Sequence, residues 1–100
     1  MTPNQQSVRH LRELGYTAEV VEQRIPGTNR ARDLFGIIDV VAIGNGQTLG
    51  VQATSADHVS HRRTKMIESG MLPIFKEAGW LVVIHGWRKD GRLREEVVTL

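Results

Sequence analysis

No cysteine occurs in these 100 residues, so a disulfide framework and a cysteine-held zinc site are both excluded, while the redox compartment stays open. No apolar run is longer than a strand, and the opening MTPNQQSVRH lacks a basic stretch followed by a hydrophobic one. A cytoplasmic protein with no membrane span and no secretory leader is therefore expected. Internal repeats, linkers and low-complexity segments are missing too, which predicts one domain over residues 1–100 with a single modest core. There is no glycine-rich phosphate loop, because Gly44, Gly46 and Gly50 fall in a hairpin, and no serine or cysteine nucleophile signature stands out.

That hairpin is the most informative stretch present. In IIDVVAIGNGQTLGVQAT, Ile37 to Thr54, the pair Asn45-Gly46 tolerates the positive φ that a two-residue type I′ turn needs at both central positions. With those two as the loop, Gly44 faces Gln47, and counting outward sets Asp39 opposite Gln52. Opposed side chains share a face with Cβ atoms roughly 4.5–5.5 Å apart, and Thr54 lies on that face by the period of two. Ile38, Val40, Ala42, Leu49, Val51 and Ala53 then form the apolar, core-directed face. Two readings of Asp39 stay open from the residues alone: a solvated residue on the outer face of an ordinary hairpin, or the centre of a polar site.

Other elements follow from punctuation. Thr2, Pro3 and Gln5 have the spacing of an N-cap, a first-turn proline and a capping box; Val8, Leu11 and Leu14 give the stripe of a helix that Gly15 ends. Tyr16 to Ile25 reads as a strand closed by Pro26-Gly27. From Asp57 as N-cap a helix is predicted to about Ser69, with Val59, Met66 and Ile67 inward and His58, Arg62 and Lys65 sharing an exposed face at i, i+4, i+7. A short helix from Leu72-Pro73 to Ala78 follows, then a strand buried on both faces, Trp80 to Trp87, a turn at Lys89 to Arg92, and an edge strand from Glu95 to Leu100. The fold class is α/β in the order αβββαβ with an extra strand, a mixed central sheet flanked by helices.

The net charge of +2 is too small to demand a polyanionic partner, although the pI is near 9.5. Placement says more. Ten of the thirteen cations are arginine, whose planar fork suits phosphate. Arg24, Arg30 and Arg32 precede the hairpin, and the acid-free run His58, His61, Arg62, Arg63, Lys65 follows it. Each cluster is either a solvated surface or one side of a nucleic-acid interface. His58 and His61 beside Asp57 read as surface residues before metal ligands. His85 reads as a buried, hydrogen-bonded histidine, Trp80 and Trp87 as core or interface anchors, Met66 and Met71 as core fillers.

On these residues the chain resembles the PD-(D/E)XK nuclease superfamily, in particular its small stand-alone members of the VRR-NUC and Holliday-junction-resolvase type. There a strand ends in an acid, the next carries Glu-X-Lys, and a basic helix follows; here the counterparts are GIIDVV from Gly36, VQAT from Val51 and HVSHRRTK from His58. Asp39 matches the first acid, while Gln52 stands at the second acid and Thr54 at the lysine. The resemblance implies a restriction-endonuclease-like core and a metal-dependent DNA endonuclease acting on branched or structured DNA. Its catalytic group would be Asp39, Gln52, Thr54 and Lys65. Mg²⁺ or Mn²⁺ would be held by Asp39, Gln52 and the carbonyl of Ala53, with a further acid from Glu13, Glu19, Glu22 or Asp33. Arg30, Arg32, His58, Arg62 and Arg63 would grip phosphates, and symmetric cutting would favour a homodimer. Because two of three motif positions differ, a nuclease fold that has lost catalysis and binds nucleic acid or a protein is the alternative, with an unrelated α/β scaffold as the third.

Overall fold

Thr2 opens the first helix as its spacing predicts. In the computed structural model, which describes residues 1–99, the Thr2 hydroxyl accepts from the Gln5 N–H at 3.2 Å and the Gln5 side chain accepts from the Thr2 N–H at 2.9 Å. This reciprocal pair starts α1, Pro3–Glu13. Thr2→Ala removes the cap and is expected to cost about 1 kcal/mol, read as a fall in the thermal midpoint of roughly 4–8 °C. Ser7, Val8 and Leu11 are buried, but Leu14 is 55% exposed. The helix has ended by then, and the chain reverses at Gly15 with φ +95.

The remaining elements are β1 Thr17–Val20, β2 Gln23–Arg24, β3 Ala31–Arg32, β4 Val40–Gly44, β5 Gln47–Ser55, a 3₁₀ turn Ala56–His58, α2 Val59–Glu68, α3 Leu72–Glu77, β6 Trp80–Trp87 and β7 Leu93–Val97. Five strands form one mixed sheet in the order β1-β4-β5-β6-β7, and β5 with β6 is its parallel pair. The crossover between those two carries α2 and α3 on one face; α1 covers the other, so the protein is α/β with helices flanking the sheet. Among the described residues no helix is long and apolar enough to cross a membrane.

The hairpin register is the one that the Asn45-Gly46 turn dictates, with Gly44 facing Gln47 and Val40 facing Val51. Asn45 and Gly46 take φ +52 and +74, as a type I′ turn requires. Val40, Ala42, Leu49 and Val51 pack with Val8, Leu11, Ala18 and Val83 on the α1 side. Ile38 departs from the expected face and packs with Val59, Met66, Phe75 and Ile84 on the other side. The cause is a bend at Asp39: its N–H donates to the Val51 carbonyl at 2.8 Å, so Asp39 and Val40 stand against one partner residue, and an extra residue in a ladder reverses the alternation beyond it. Gly50 makes room, since a Cβ there would lie 2.7 Å from Ile38 Cδ1.

Four further expectations are corrected. The strand predicted from Tyr16 to Ile25 breaks after Val20, because the N–H groups of Val21 and Glu22 both turn to the Asp39 carbonyl, at 2.8 and 3.3 Å. Beyond the break, β2 pairs with β3 as a separate two-stranded ribbon. Asp57 does not cap one continuous helix; it lies inside the 3₁₀ turn, and α2 starts at Val59 without a side-chain cap. Ile67 is 42% exposed, one residue off the line of Val59 and Met66. The last strand begins at Leu93, two residues early, because Arg88 to Arg92 form a tight turn; it is an edge strand, and Leu100 lies outside the described residues. The strand Trp80–Trp87 is buried on both faces as expected.

Between α1 and β6 lies a polar cluster. His85 is fully buried, with Nδ1 2.9 Å from the Ser7 hydroxyl and Nε2 2.9 Å from a Glu95 carboxylate oxygen, while the Trp87 indole donates to Ser7 at 2.9 Å. A carboxylate accepts only, so Nε2 carries a proton and donates it to Glu95. Burial pushes the His85 pKa below its usual value; Glu95 opposes that and His10 adds to it.

Candidate metal and phosphate site

Three acids meet where the backbone bends. Asp39 is placed by the bend itself. Glu22 is drawn in by the hydrogen bond from its N–H to the Asp39 carbonyl, and Asn4 on α1 donates to its carboxylate at 3.0 Å. Asp33 is returned by a tight loop: the Leu34 N–H donates to Ile38 O at 2.8 Å, and the Gly36 N–H to Asp33 O at 3.0 Å. Glu22, Asp33 and Asp39 each present a carboxylate oxygen within 4.8 Å of the others.

Asp39 is 3% exposed and is not a solvated outer-face residue. Its Oδ2 accepts from the Ala53 N–H at 3.1 Å and from the side-chain amide of Gln52, so Asp39 and Gln52 meet as expected, although through the bend and not by the direct cross-strand opposition that counting from the turn predicts. Burial is the largest cause that raises its pKa from 3.8 to about 8; the hydrogen bond and charge of Asp33 and the charge of Glu22 add to it, and the Ala53 N–H opposes it. A buried carboxylate this close to two others either keeps its proton or takes a cation. All three donors are hard carboxylate oxygens, the set that suits Mg²⁺, Mn²⁺ or Ca²⁺.

A cleft of about 520 Å³ opens over the acids, lined by Glu22, Asp33 and Asp39 with Arg32, Arg62, Gly36 and Ala53 among its walls. Arg32 comes from the ribbon and Arg62 from α2, so two separate elements each bring a cation to the cleft that holds the three acids.

The raised pKa has a testable sign. The folded protein holds a proton that the unfolded chain releases at about pH 4, so the stabilisation is complete below pH 3.8 and is lost as pH rises towards 8. His85 gives the opposite slope below its ordinary 6.5, because there the unfolded chain takes up the proton. Between pH 6.5 and 8 the metal-free protein is therefore expected to lose stability, by at most about 1.4 kcal/mol per pH unit, and Asp39→Asn should flatten the slope. Chemical denaturation in chelator at several pH values checks this; wild type gaining stability across that window would contradict it.

The other expected site residues lie as follows. Thr54 is 4% exposed, stands against Gly86 of β6 and is not in the cleft lining. Glu13 and Glu19 line a different depression beside Arg9 and Arg12, and Glu13 pairs with Arg9 at 3.3 Å. Lys65 is exposed on α2, outside the cleft lining. His58 is hydrogen-bonded to Ser55 at 2.8 Å, and Arg63 is tied to Glu96 of β7 at 2.5 Å. Arg30 is exposed near the ribbon tip. Arg62 is half-buried and lines the cleft, whereas His58 and Lys65, predicted to share an exposed face with it, are exposed. Sequence reasoning missed Asn4, whose contact with Glu22 spans 18 residues and has no local signal.

Comparison with protein-family models and with curated proteins finds no match for this chain.

Proposed function

We propose that this protein is a divalent-metal-dependent DNA endonuclease of the PD-(D/E)XK type. The observation that carries the reading is the meeting of Glu22, Asp33 and Asp39 within 4.8 Å, in a cleft that also holds Arg32 and Arg62. The order supports it: a helix, an antiparallel meander β1-β4-β5, then a helical crossover into a parallel strand follow the αβββαβ plan. Glu22 and Asp33 supply the charge that Gln52 does not bring.

Under this reading Asp39, Glu22 and Asp33 hold Mg²⁺ or Mn²⁺, and the ion when bound supplies the activated water and the charge neutralisation that phosphodiester hydrolysis needs. The rest falls to the chain. Gln52 and the Ala53 N–H fix the Asp39 carboxylate through Oδ2, a positioning role. Arg32 and Arg62, both in the cleft lining, hold the phosphate, and Arg62 stands in for the cation that Thr54 cannot provide. Arg30 extends the phosphate contacts along the ribbon. Branched or structured DNA is the substrate, and a homodimer places two such clefts for paired cuts.

One observation favours a second reading, a nuclease fold that binds nucleic acid without cutting it: the Gln52 amide is spent on Asp39, and Thr54 and Lys65 stand outside the cleft lining. The test is incubation of labelled linear, single-stranded and four-way-junction DNA with the protein in Mn²⁺ and in chelator. Cutting confined to Mn²⁺ is the expected result. Salt-sensitive binding without cutting in either condition would overturn the enzyme reading in favour of the second. Arg32→Ala is expected to lower the slope of log affinity against log salt by about one and to weaken binding to all sequences alike, measured by fluorescence anisotropy.

A further inference from the structure

Phe35 is a large aromatic held in an exposed and strained position. It is 58% exposed, whereas the other phenylalanine, Phe75, is 4% exposed. Its φ is +53, and among the described residues the only other non-glycine residue at positive φ is Asn45. Asn45 sits in a turn that favours it; a phenylalanine in the left-handed region is strained, and such strain persists where the surroundings enforce it. The turn bond from the Gly36 N–H to Asp33 O and the pairing of Leu34 with Ile38 enforce it here. Asp33 and Gly36 of the same turn line the cleft, and Phe35 itself stands just outside that lining.

The ring is also seated. It stands edge-on to Phe75 with centroids 5.8 Å apart, and Phe75 packs on Trp80 at 5.0 Å, inside the core. A glycine or asparagine would close the same turn with less strain and less exposed apolar area. What the phenylalanine adds is a rigid π surface beside a cleft that carries three acids and two arginines. The chemistry that matches such a surface next to phosphate-binding groups is a nucleobase, and a base offers its face only when it is out of the duplex stack.

We propose that Phe35 is a base-stacking residue and that the cleft takes DNA with an unpaired or unstacked nucleotide beside the bound phosphate, as at a mismatch, flap or branch. This rests on the phosphate-binding reading of the cleft. Perfect duplex offers no base face at that position and binds through its phosphates alone.

The experiment uses two short duplexes that differ only in whether a 2-aminopurine reporter is paired or unpaired, titrated with the full chain in chelator so that nothing is cut. Wild type is expected to bind the unpaired duplex about 10- to 100-fold more tightly and to quench its fluorescence by stacking. Phe35→Gly should melt within a few degrees of wild type, bind both duplexes equally and leave the reporter unquenched, with an unchanged salt slope. Phe35→Asn should behave likewise, and Phe35→Tyr should keep both preference and quench. Preference and quench surviving in Phe35→Gly, or absent from wild type that binds both duplexes, would overturn the proposal while leaving the phosphate cleft intact. Absence of binding to either duplex, with Arg32→Ala indistinguishable from wild type, would instead remove the phosphate reading and this one with it.

Discussion

Asp39→Asn is expected to abolish Mn²⁺-dependent DNA cutting, by more than the roughly 10- to 100-fold that losing a residue merely supporting a metal ligand costs. The substitution is nearly isosteric. An asparagine oxygen can still accept from the Ala53 N–H, so the bend at Asp39 and the faces of the hairpin should be kept. What disappears is the central negative oxygen among the three that lie within 4.8 Å. The variant should also be the more stable of the two in chelator at pH 8, because the repulsion from Asp33 and Glu22 and the cost of a buried charge go with it. Lost activity together with gained metal-free stability marks a site built against folding energy; lost activity with a collapsed fold would point to a structural carboxylate. Stopped-assay cleavage and denaturant titration on the same preparations read the two effects.

Gly86→Ala is expected to destabilise the protein by about 2–3 kcal/mol, a fall in the thermal midpoint of roughly 10–20 °C. Conformational freedom is not the reason. A Cβ at Gly86 would overlap Val59 Cγ2 and stand 3.0 Å from the Ala56 Cα. Gly86 is paired on both sides, with Thr54 of β5 and Arg94 of β7, so the strand cannot give way. Val59 is fully buried and is the first residue of α2, so the start of that helix must move. Arg62 lies one turn further on, and DNA affinity should fall with stability. Val59→Ala removes the clashing methyl groups, so the double variant Gly86→Ala with Val59→Ala should lose less than the sum of the single losses, measured as a thermodynamic cycle. Strict additivity would show that the glycine is not there for the helix.

Where a local rule decided a feature, the sequence was legible. Asn45-Gly46 set the register from Gly44 facing Gln47 out to Val40 facing Val51, Thr2 and Gln5 set the start of α1, and the unbroken apolar run from Trp80 set a strand covered on both faces. The site itself was only partly legible. Its centre followed from the register, but the bend at Asp39 adds one residue to the ladder, and periodicity has no means of seeing that; Gly50, bare beside Ile38, was the one trace of it. Glu22 and Asp33 join Asp39 through backbone bonds to Asp39 and around Leu34 to Ile38, not through any side-chain spacing. Glu13 and Glu19 had equal standing as candidates because counting along α1 and β1 does not say which end of the sheet an acid reaches. Arg62 and Arg63 are adjacent in sequence and diverge in space, one to the cleft and one to Glu96, because 100° of helix rotation separates them.

The most direct test of the central claim is a Mn²⁺ titration by calorimetry at pH 8, comparing wild type with Glu22→Gln, Asp33→Asn, Glu13→Gln and Glu19→Gln. The account predicts that wild type, Glu13→Gln and Glu19→Gln bind the ion alike, while Glu22→Gln and Asp33→Asn each lose at least tenfold in affinity. Binding that survives in Glu22→Gln and Asp33→Asn, or that depends on Glu13 or Glu19, would contradict it.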